Sequence, residues 1–419
     1  MHVWTSVFGF SEVALRSPSA LAVGLACAGT VVIGRKLGSD FIGITAGLVL
    51  SVLPRMVWAG TEARQSAFTA LFAVALTLLL IRAWKSNRAL DWVLYSACAV
   101  LGIFVFMFFV LVIVSHALAA VVLRRRVLAT LASSLAIAVA SGPFLLFALT
   151  QNGQVAWIEN RSLLQNLSAV AVKQFFYGDD RPTGNLPPTW VLAFVILLGI
   201  FQLALVAFGI VRAAKVKELW TLLVLGLVSV VAPMIALLSI SVLVQPVYVA
   251  RYLTFTAPAF ALLVALGLDW LRERRRSLLP IAAAMVLVCS LVPQLTLKSM
   301  INEPMDTERD VAAMAAREAH GPASIVYETP EARDPSLAYA AAFTSLTDLS
   351  LASLPSDSST LWGKNKPVSR GDLAGRGRVL FVGTGANSTP DLSAFSAAGC
   401  ALDQKITMER VRLLSFNCP

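Results

Sequence analysis

The sequence predicts an all-α polytopic membrane bundle of about ten transmembrane helices, followed by a small C-terminal extracytoplasmic α/β domain. Three observations carry that expectation. Hydrophobic residues make up 57% of the 419-residue chain and charged residues only 14%, whereas a soluble domain is about half apolar and about a quarter charged. The apolar excess is gathered into runs, and a bilayer-crossing helix takes about 20 such residues. From residue 296 the runs stop and a polar stretch with short strand-like segments takes over.

Ten runs read as spans: 17–34, 39–56, 65–83, 89–102, 103–122, 127–148, 189–211, 218–240, 250–270 and 278–294. The stretch 89–122 is too long for one crossing and is divided in two, with a tight turn near 102. Pro54 and Pro258 punctuate two of the runs. Arg35 and Lys36 follow the first span, and Arg82, Lys85 and Arg88 the third. Arg124, Arg125 and Arg126 follow the fifth, and Arg212, Lys215 and Lys217 the seventh. Arg272, Arg274, Arg275 and Arg276 follow the ninth. Every second connection is therefore basic, and the positive-inside rule makes those connections cytoplasmic. The intervening connections, the long loop 149–188 and everything after 295 then lie outside.

That orientation puts residues 1–16 outside with no helix before them. They carry no basic segment followed by an apolar core, as a signal peptide would. The expectation is that an upstream segment is missing; the alternative is an N-out insertion.

In the tail, 325–327 and 379–382 read as strands and 307–319 and 330–342 as helical stretches. The chain thus divides into 1–295 and 296–419. Gly383 and Gly385 in "FVGTGANS" form a lone GxG, a weak nucleotide signal without a third glycine and a following helix. Cys27, Cys98 and Cys289 lie in apolar runs and read as small hydrophobes. Cys400 and Cys418 lie in the tail and are able to pair if it is extracytoplasmic.

A net charge of +10 would suggest nucleic acid in a soluble protein. Here the basic residues are topology signals, so no nucleic-acid partner is expected. With three histidines and no CxxC, a zinc site is not expected either. Proton- or ion-coupled transporters carry ionisable groups at the midplane. These spans hold essentially none, apart from His116, which reads as a hydrogen-bonded structural residue. Ionisable groups gather instead on the outer face: Glu12, Arg16, Arg55, Glu62, Arg64, Glu159, Arg161, Asp179, Asp180, Arg181 and Arg251. Arginine holds a phosphate through paired N–H donors, and a carboxylate acts as a base or orients a hydroxyl. That pairing at a lipid–water boundary suits a phosphate-linked lipid substrate. An ordinary interfacial ion pair or a snorkelling arginine accounts for the same residues taken singly.

Three stretches carry a resemblance. "VFGFSEVALRSPSALA" (7–22), "WAGTEARQSAF" (58–68) and "PVYVARYLTFTAPAFALL" (246–263) resemble, in order, segments of bacterial GT-C glycosyltransferases. This polyprenyl-phosphate-sugar-dependent class includes protein O-mannosyltransferase-like enzymes. The long outer loop with "QVAWIEN" (154–160) and the extracytoplasmic tail resemble the arrangement of actinobacterial members.

The resemblance implies an inverting mannosyltransferase-like enzyme. Its donor is a polyprenyl-phosphate-linked hexose, and its acceptor is a cell-envelope glycan, lipid or protein. Glu62 and Arg64 match catalytic positions, and Arg16, Arg251, Tyr252, Trp58 and Trp157 match substrate-binding ones. The class's first helix and first-loop acidic motif would precede residue 1, so the principal base of the class has no counterpart here. No cofactor is implied, and a divalent cation bridging Glu62 to the donor phosphate stays open. The alternatives are a lipid or polysaccharide transporter or flippase, and a truncated non-catalytic assembly partner.

Overall fold

The structure is a computed structural model that describes residues 2–9, 11–149, 158, 160–178, 189–301, 307–318, 323–358, 360–384, 390–407 and 411–419. It divides into two compact units, Met1–Leu297 and Lys298–Pro419.

The first unit is helical. A short α1 (His2–Phe8) precedes α2 (Glu12–Leu37), which begins where the Ser11 side chain accepts from the Ala14 N–H. Glu12 stands in its first turn and Arg35 and Lys36 in its last, each matched in sign to that end of the helix dipole. Ser39 caps α3 (Asp40–Val52) in the same way. The sequence places one span over 39–56, but the chain bends by 60° between α3 and α4 (Pro54–Thr61). The cause is local. A residue before proline is driven to extended backbone, and Leu53 has φ −63 and ψ 123.

Then follow α5 (Ser66–Ser86), α6 (Ala89–Val105), α7 (Val110–Leu123) and α8 (Val127–Leu149). The division of 89–122 is realised, but the break falls at Phe106 and the 3-10 turn Met107–Phe109, not near 102. Gly102 cannot mark the turn because the Phe109 ring packs against its Cα inside the helix pair. After α9 (Leu163–Lys173) come α10 (Thr189–Lys215), α11 (Trp220–Leu243), α12 (Ala257–Arg274) and α13 (Leu279–Ile301). Among the described residues, seven helices are long and apolar enough to cross a bilayer, eight if the bent α3–α4 pair is one span. The α6 and α7 hairpin is apolar but shorter, so two of the ten expected spans fall below full crossing length.

Small residues let these helices approach. A Cβ on Gly34 of α2 would stand 2.5 Å from the Gly43 Cα of α3, and one on Gly267 of α12 would collide with the Leu205 carbonyl of α10. Close approach of this kind drives helix association where lipid offers no hydrophobic incentive. His116 is satisfied as expected: its Nε2 lies 3.2 Å from Thr77 Oγ1 and its Nδ1 3.2 Å from Tyr95 Oη. The contact ties α7 to α5 and α6.

The basic connections join α2–α3, α5–α6, α7–α8, α10–α11 and α12–α13, hence one end of the bundle. Carboxylates there meet those bases. Arg35 pairs with Asp40 at 3.0 Å and Arg82 with buried Asp91 at 2.6 Å. Asp269 takes Arg212 at 3.2 Å and Arg272 at 2.9 Å.

The second unit holds α14 (Thr307–Glu318) and a five-stranded sheet of order β2-β1-β5-β7-β6. The strands are β1 (Ala323–Tyr327), β2 (Leu346–Asp348), β5 (Gly377–Thr384), β6 (Ala401–Thr407) and β7 (Val411–Cys418). β2, β1 and β5 run parallel, and β7 is antiparallel to β5 and β6. β3 (Leu351–Ser353) and β4 (Lys364–Asn365) form a separate hairpin. The stretch 330–342, expected as one helix, is broken into short turns around α15 (Asp334–Ala338). Arg333 ends the first of them by turning inward to Asp348 at 2.8 Å. Cys400 and Cys418 form a disulfide.

Candidate functional site

Among the described residues of the first unit, the acidic side chains are Glu12, Asp40, Glu62, Asp91, Glu218, Asp269 and Glu273. All but Glu12 and Glu62 belong to helix ends on the basic side of the bundle. Those two stand at the opposite end, on the packed elements α2 and α4. α2 packs along α4, and a Cβ on Gly60 would touch Val23 and Ala20 of α2. Glu12 reaches Arg16 at 4.0 Å, one turn along α2. Glu62 ends α4 in extended backbone and meets Arg64 at 3.5 Å, with both side chains half-exposed.

Arg55 organises this corner. It stands on the first turn of α4, yet its side chain is fully buried. A guanidinium leaves water only if its donors find acceptors. Arg55 finds four at the end of α9 and just beyond it. It donates to the carbonyls of Gln174 (3.2 Å), Gly178 (3.3 Å), Tyr177 (3.1 Å) and Lys173. Its backbone N–H adds a bond to the Phe175 carbonyl at 3.2 Å. The same guanidinium lies 5.1 Å from the Trp58 ring centroid. Gly178 packs so close to Trp58 that a Cβ there would stand 2.8 Å from the Trp58 Cβ.

Segment 173–178 then reaches the other candidate residues. Gln174 donates to Thr256 Oγ1 at 3.4 Å, and the Phe175 ring stacks on Phe260 at 4.2 Å. Thr256 closes the 3-10 segment Ala250–Thr256, which carries Arg251 and Tyr252. That segment also packs directly against α4. The turn leading into it is held by Ser241, whose hydroxyl accepts from the Val247 and Tyr248 N–H groups at 3.1 Å each. Tyr252 lies against Phe108 at 5.6 Å and edge-on to Phe106 at 5.3 Å, and the Arg251 guanidinium lies 5.8 Å from the Tyr252 ring.

The elements bearing Arg16, Trp58, Glu62, Arg64, Arg251 and Tyr252 therefore meet at the non-basic end of the bundle. Trp157, with Glu159, Asp179, Asp180 and Arg181, lies outside the described residues. Sequence reasoning missed the part played by Arg55 and Gln174. An arginine after Pro54 between two apolar runs was the available signal, but its acceptors lie about 120 positions away. Among the described residues no group of three or more His, Cys, Asp or Glu gathers as metal ligands. A small, mostly apolar cavity lined by Thr77, Val112, Leu225, Ser229, Phe255 and Leu262 among others lies within the bundle. None of the six site residues lines it.

This fold is a known one. ArnT from Cupriavidus metallidurans in the apo state aligns over 99% of this chain and 85% of its own, with a TM-score of 0.58 and 12% identity. The same protein bound to undecaprenyl phosphate aligns over 99% and 86%, with a TM-score of 0.54 and 13% identity. The chain thus has an ArnT-like GT-C fold and is a multi-pass membrane protein. The family model described as dolichyl-phosphate-mannose-protein mannosyltransferase matches residues 1–151, which include Arg16, Trp58, Glu62 and Arg64. The fold is of the GT-C type, and the family match falls within the first 151 residues of the chain. No curated protein matches the sequence.

Proposed function

We propose that the protein transfers a hexose, with mannose as the first candidate, from a polyprenyl-phosphate carrier to a cell-envelope glycan, lipid or protein outside the cytoplasm. One observation carries the reading. The two described carboxylates of the bundle that stand away from its basic end each pair with an arginine, Glu12 with Arg16 and Glu62 with Arg64, and α4 packs against both α2 and the Arg251 segment. A carrier phosphate at the outer lipid boundary meets both chemistries there. The N-terminal match to the mannosyltransferase family model and the undecaprenyl phosphate bound by the similarly folded ArnT support the donor class.

In this reading the acceptor hydroxyl attacks the anomeric carbon as Glu62 takes its proton. The bond from that carbon to the phosphate oxygen breaks, and the phosphate leaves with one more negative charge. Arg251, held against Tyr252, faces that growing charge, which is where electrostatic stabilisation gains most. Arg64, 3.5 Å from Glu62, orients its carboxylate, and Arg16 adds positive charge at this end of the bundle. Attack opposite the leaving phosphate inverts the anomeric centre. A divalent cation, if used, has Glu62 as its protein ligand. The disulfide between Cys400 and Cys418 supports an oxidising, extracytoplasmic location for the second unit.

The test is transfer from a panel of radiolabelled polyprenyl-phosphate sugars in membranes. Glu62→Gln is expected to lose roughly 10²–10⁴-fold of the rate. Arg251→Ala is expected to lose donor use while still inserting. Transfer by both variants at the parent rate overturns the reading.

A further inference from the structure

The hairpin β3–β4 of the second unit has no part in the proposed chemistry, and its tip is unusual. Among the described residues of that unit, the exposed large aliphatic side chains are Leu337, Leu354, Leu361 and Leu402. Two of these lie at the tip. Leu354 and Leu361 stand on the hairpin connection and are 54% and 64% exposed. The neighbouring Trp362 is half-buried and donates its indole N–H to Asp334 Oδ1 at 2.6 Å. Leu337 lies one helical turn from Asp334 on α15, hence on the same face. The connection thus carries two exposed leucines and an indole that is bonded to the helix bearing a third.

Two hydroxyls of the tip bond to its own backbone, while Ser356 and Asp357 beside them are exposed. Ser358 Oγ donates to the Leu354 carbonyl at 2.9 Å. Thr360 Oγ1 donates to the Gly363 carbonyl at 3.1 Å and accepts from the Gly363 N–H at 3.0 Å. Groups already bonded lose little when water is withdrawn, so these two hydroxyls do not oppose burial of the leucines.

We propose that this tip is a membrane-docking surface that inserts Leu354, Leu361 and Trp362 into the lipid–water interface. The occupant is argued from the chain itself. The second unit begins at Lys298, inside α13, whose stretch 276–295 is long and apolar enough to cross a bilayer. The unit is therefore covalently held at a membrane surface, which gives a bilayer a high effective concentration at the tip. Tryptophan favours the interfacial layer, with its ring in the apolar boundary and its N–H in a polar contact. Exposed Lys364 and Lys366 follow on the outgoing strand, the latter paired with Asp372 at 2.9 Å. Exposed Asp357 at the tip limits the docking to the headgroup boundary, since a carboxylate does not enter the hydrocarbon.

The experiment uses the whole protein in phosphatidylcholine nanodiscs, with or without bromine on the acyl chains near the headgroup. The fluorescence of Trp362 is obtained as the difference between the parent and Trp362→Phe. The expected result is a blue-shifted emission, quenched by the brominated lipid and shielded from aqueous iodide. Leu354→Glu with Leu361→Glu is expected to abolish both effects. Hydrogen exchange of residues 351–366 in the parent, slowed in nanodiscs relative to detergent-free solubilising polymer stripped of lipid, gives a readout that needs no substitution. Emission at the wavelength of water-exposed indole with full iodide access overturns the proposal. Shielding from iodide without quenching by brominated lipid also overturns it, because a protein then covers the tip.

Discussion

Replacing Arg55 by methionine keeps an unbranched apolar stem and removes every donor. In the parent structure those donors satisfy the carbonyls of Lys173, Gln174, Tyr177 and Gly178, around a guanidinium with no solvent exposure. A buried acceptor left without a partner costs about 1–3 kcal/mol. Part of segment 173–178 will move toward solvent and recover water, so the four losses do not add. A net cost of roughly 3–5 kcal/mol is expected, the range found when one partner of a buried charged contact is removed. At about 2–4 °C per kcal/mol for a unit of this size, the unfolding midpoint of Arg55→Met falls by roughly 10 °C. The same change loosens the bridge between Glu62 and Arg251, so transfer should fall at temperatures where the protein remains folded. Arg55→Lys restores the charge, but its three donors cannot reproduce the planar fork, so it should recover only part of both losses. The assays are thermal unfolding in detergent, followed by size exclusion, and hydrogen exchange over 163–178. A parent-like midpoint with parent-like protection of 173–178 in Arg55→Met would refute the argument that this side chain holds the corner together.

Three further outcomes test other parts of the structure. Gly267→Ala places a methyl group against the Leu205 carbonyl; forcing α10 and α12 apart should destabilise the bundle by about 1–3 kcal/mol, read as a lowered unfolding midpoint. The Cys400–Cys418 bridge spans a separation of 18 residues, so serine at both positions should destabilise the second unit by roughly 3 kcal/mol. In intact membranes the two native thiols should resist maleimide until a reductant is added. Burial pushes the Tyr327 phenol up from 10.0 to about 12. Its contribution to stability is complete below pH 10, where both folded and unfolded chains keep the proton, and is lost as the pH rises through about 12. Tyr327→Phe should flatten that alkaline decline, followed by unfolding of the second unit against pH.

The carboxylates of the second unit add a weaker acid-side dependence. Asp372 is held below the usual carboxylate range by hydrogen bonds from Ser369 and by Lys366. It favours folding above the ordinary aspartate range and loses that effect as the pH falls through its depressed value.

The sequence by itself determined the membrane architecture. Bilayer thickness forces apolar runs of one length, and charge asymmetry between alternate connections is written into residues such as Arg124–Arg126 and Arg272–Arg276. Both signals are local, so they survive without knowledge of any contact. The sequence left the pairing of Cys400 with Cys418 conditional on an extracytoplasmic tail, and the structure forms the bond. Tertiary structure alone decided the rest. The 60° bend at Leu53–Pro54 turns α4 out of the line of α3, which no run of hydrophobicity reveals. The burial of Arg55 depends on carbonyls more than a hundred residues distant. In the sequence Arg55 and Arg251 look alike, two arginines near an outer boundary. Only the fold saturates one guanidinium with backbone oxygens and sets the other beside an aromatic ring at the candidate site. The physical reason is that a charge in a membrane protein is defined by what it meets on leaving water, and that partner is chosen by packing between distant segments.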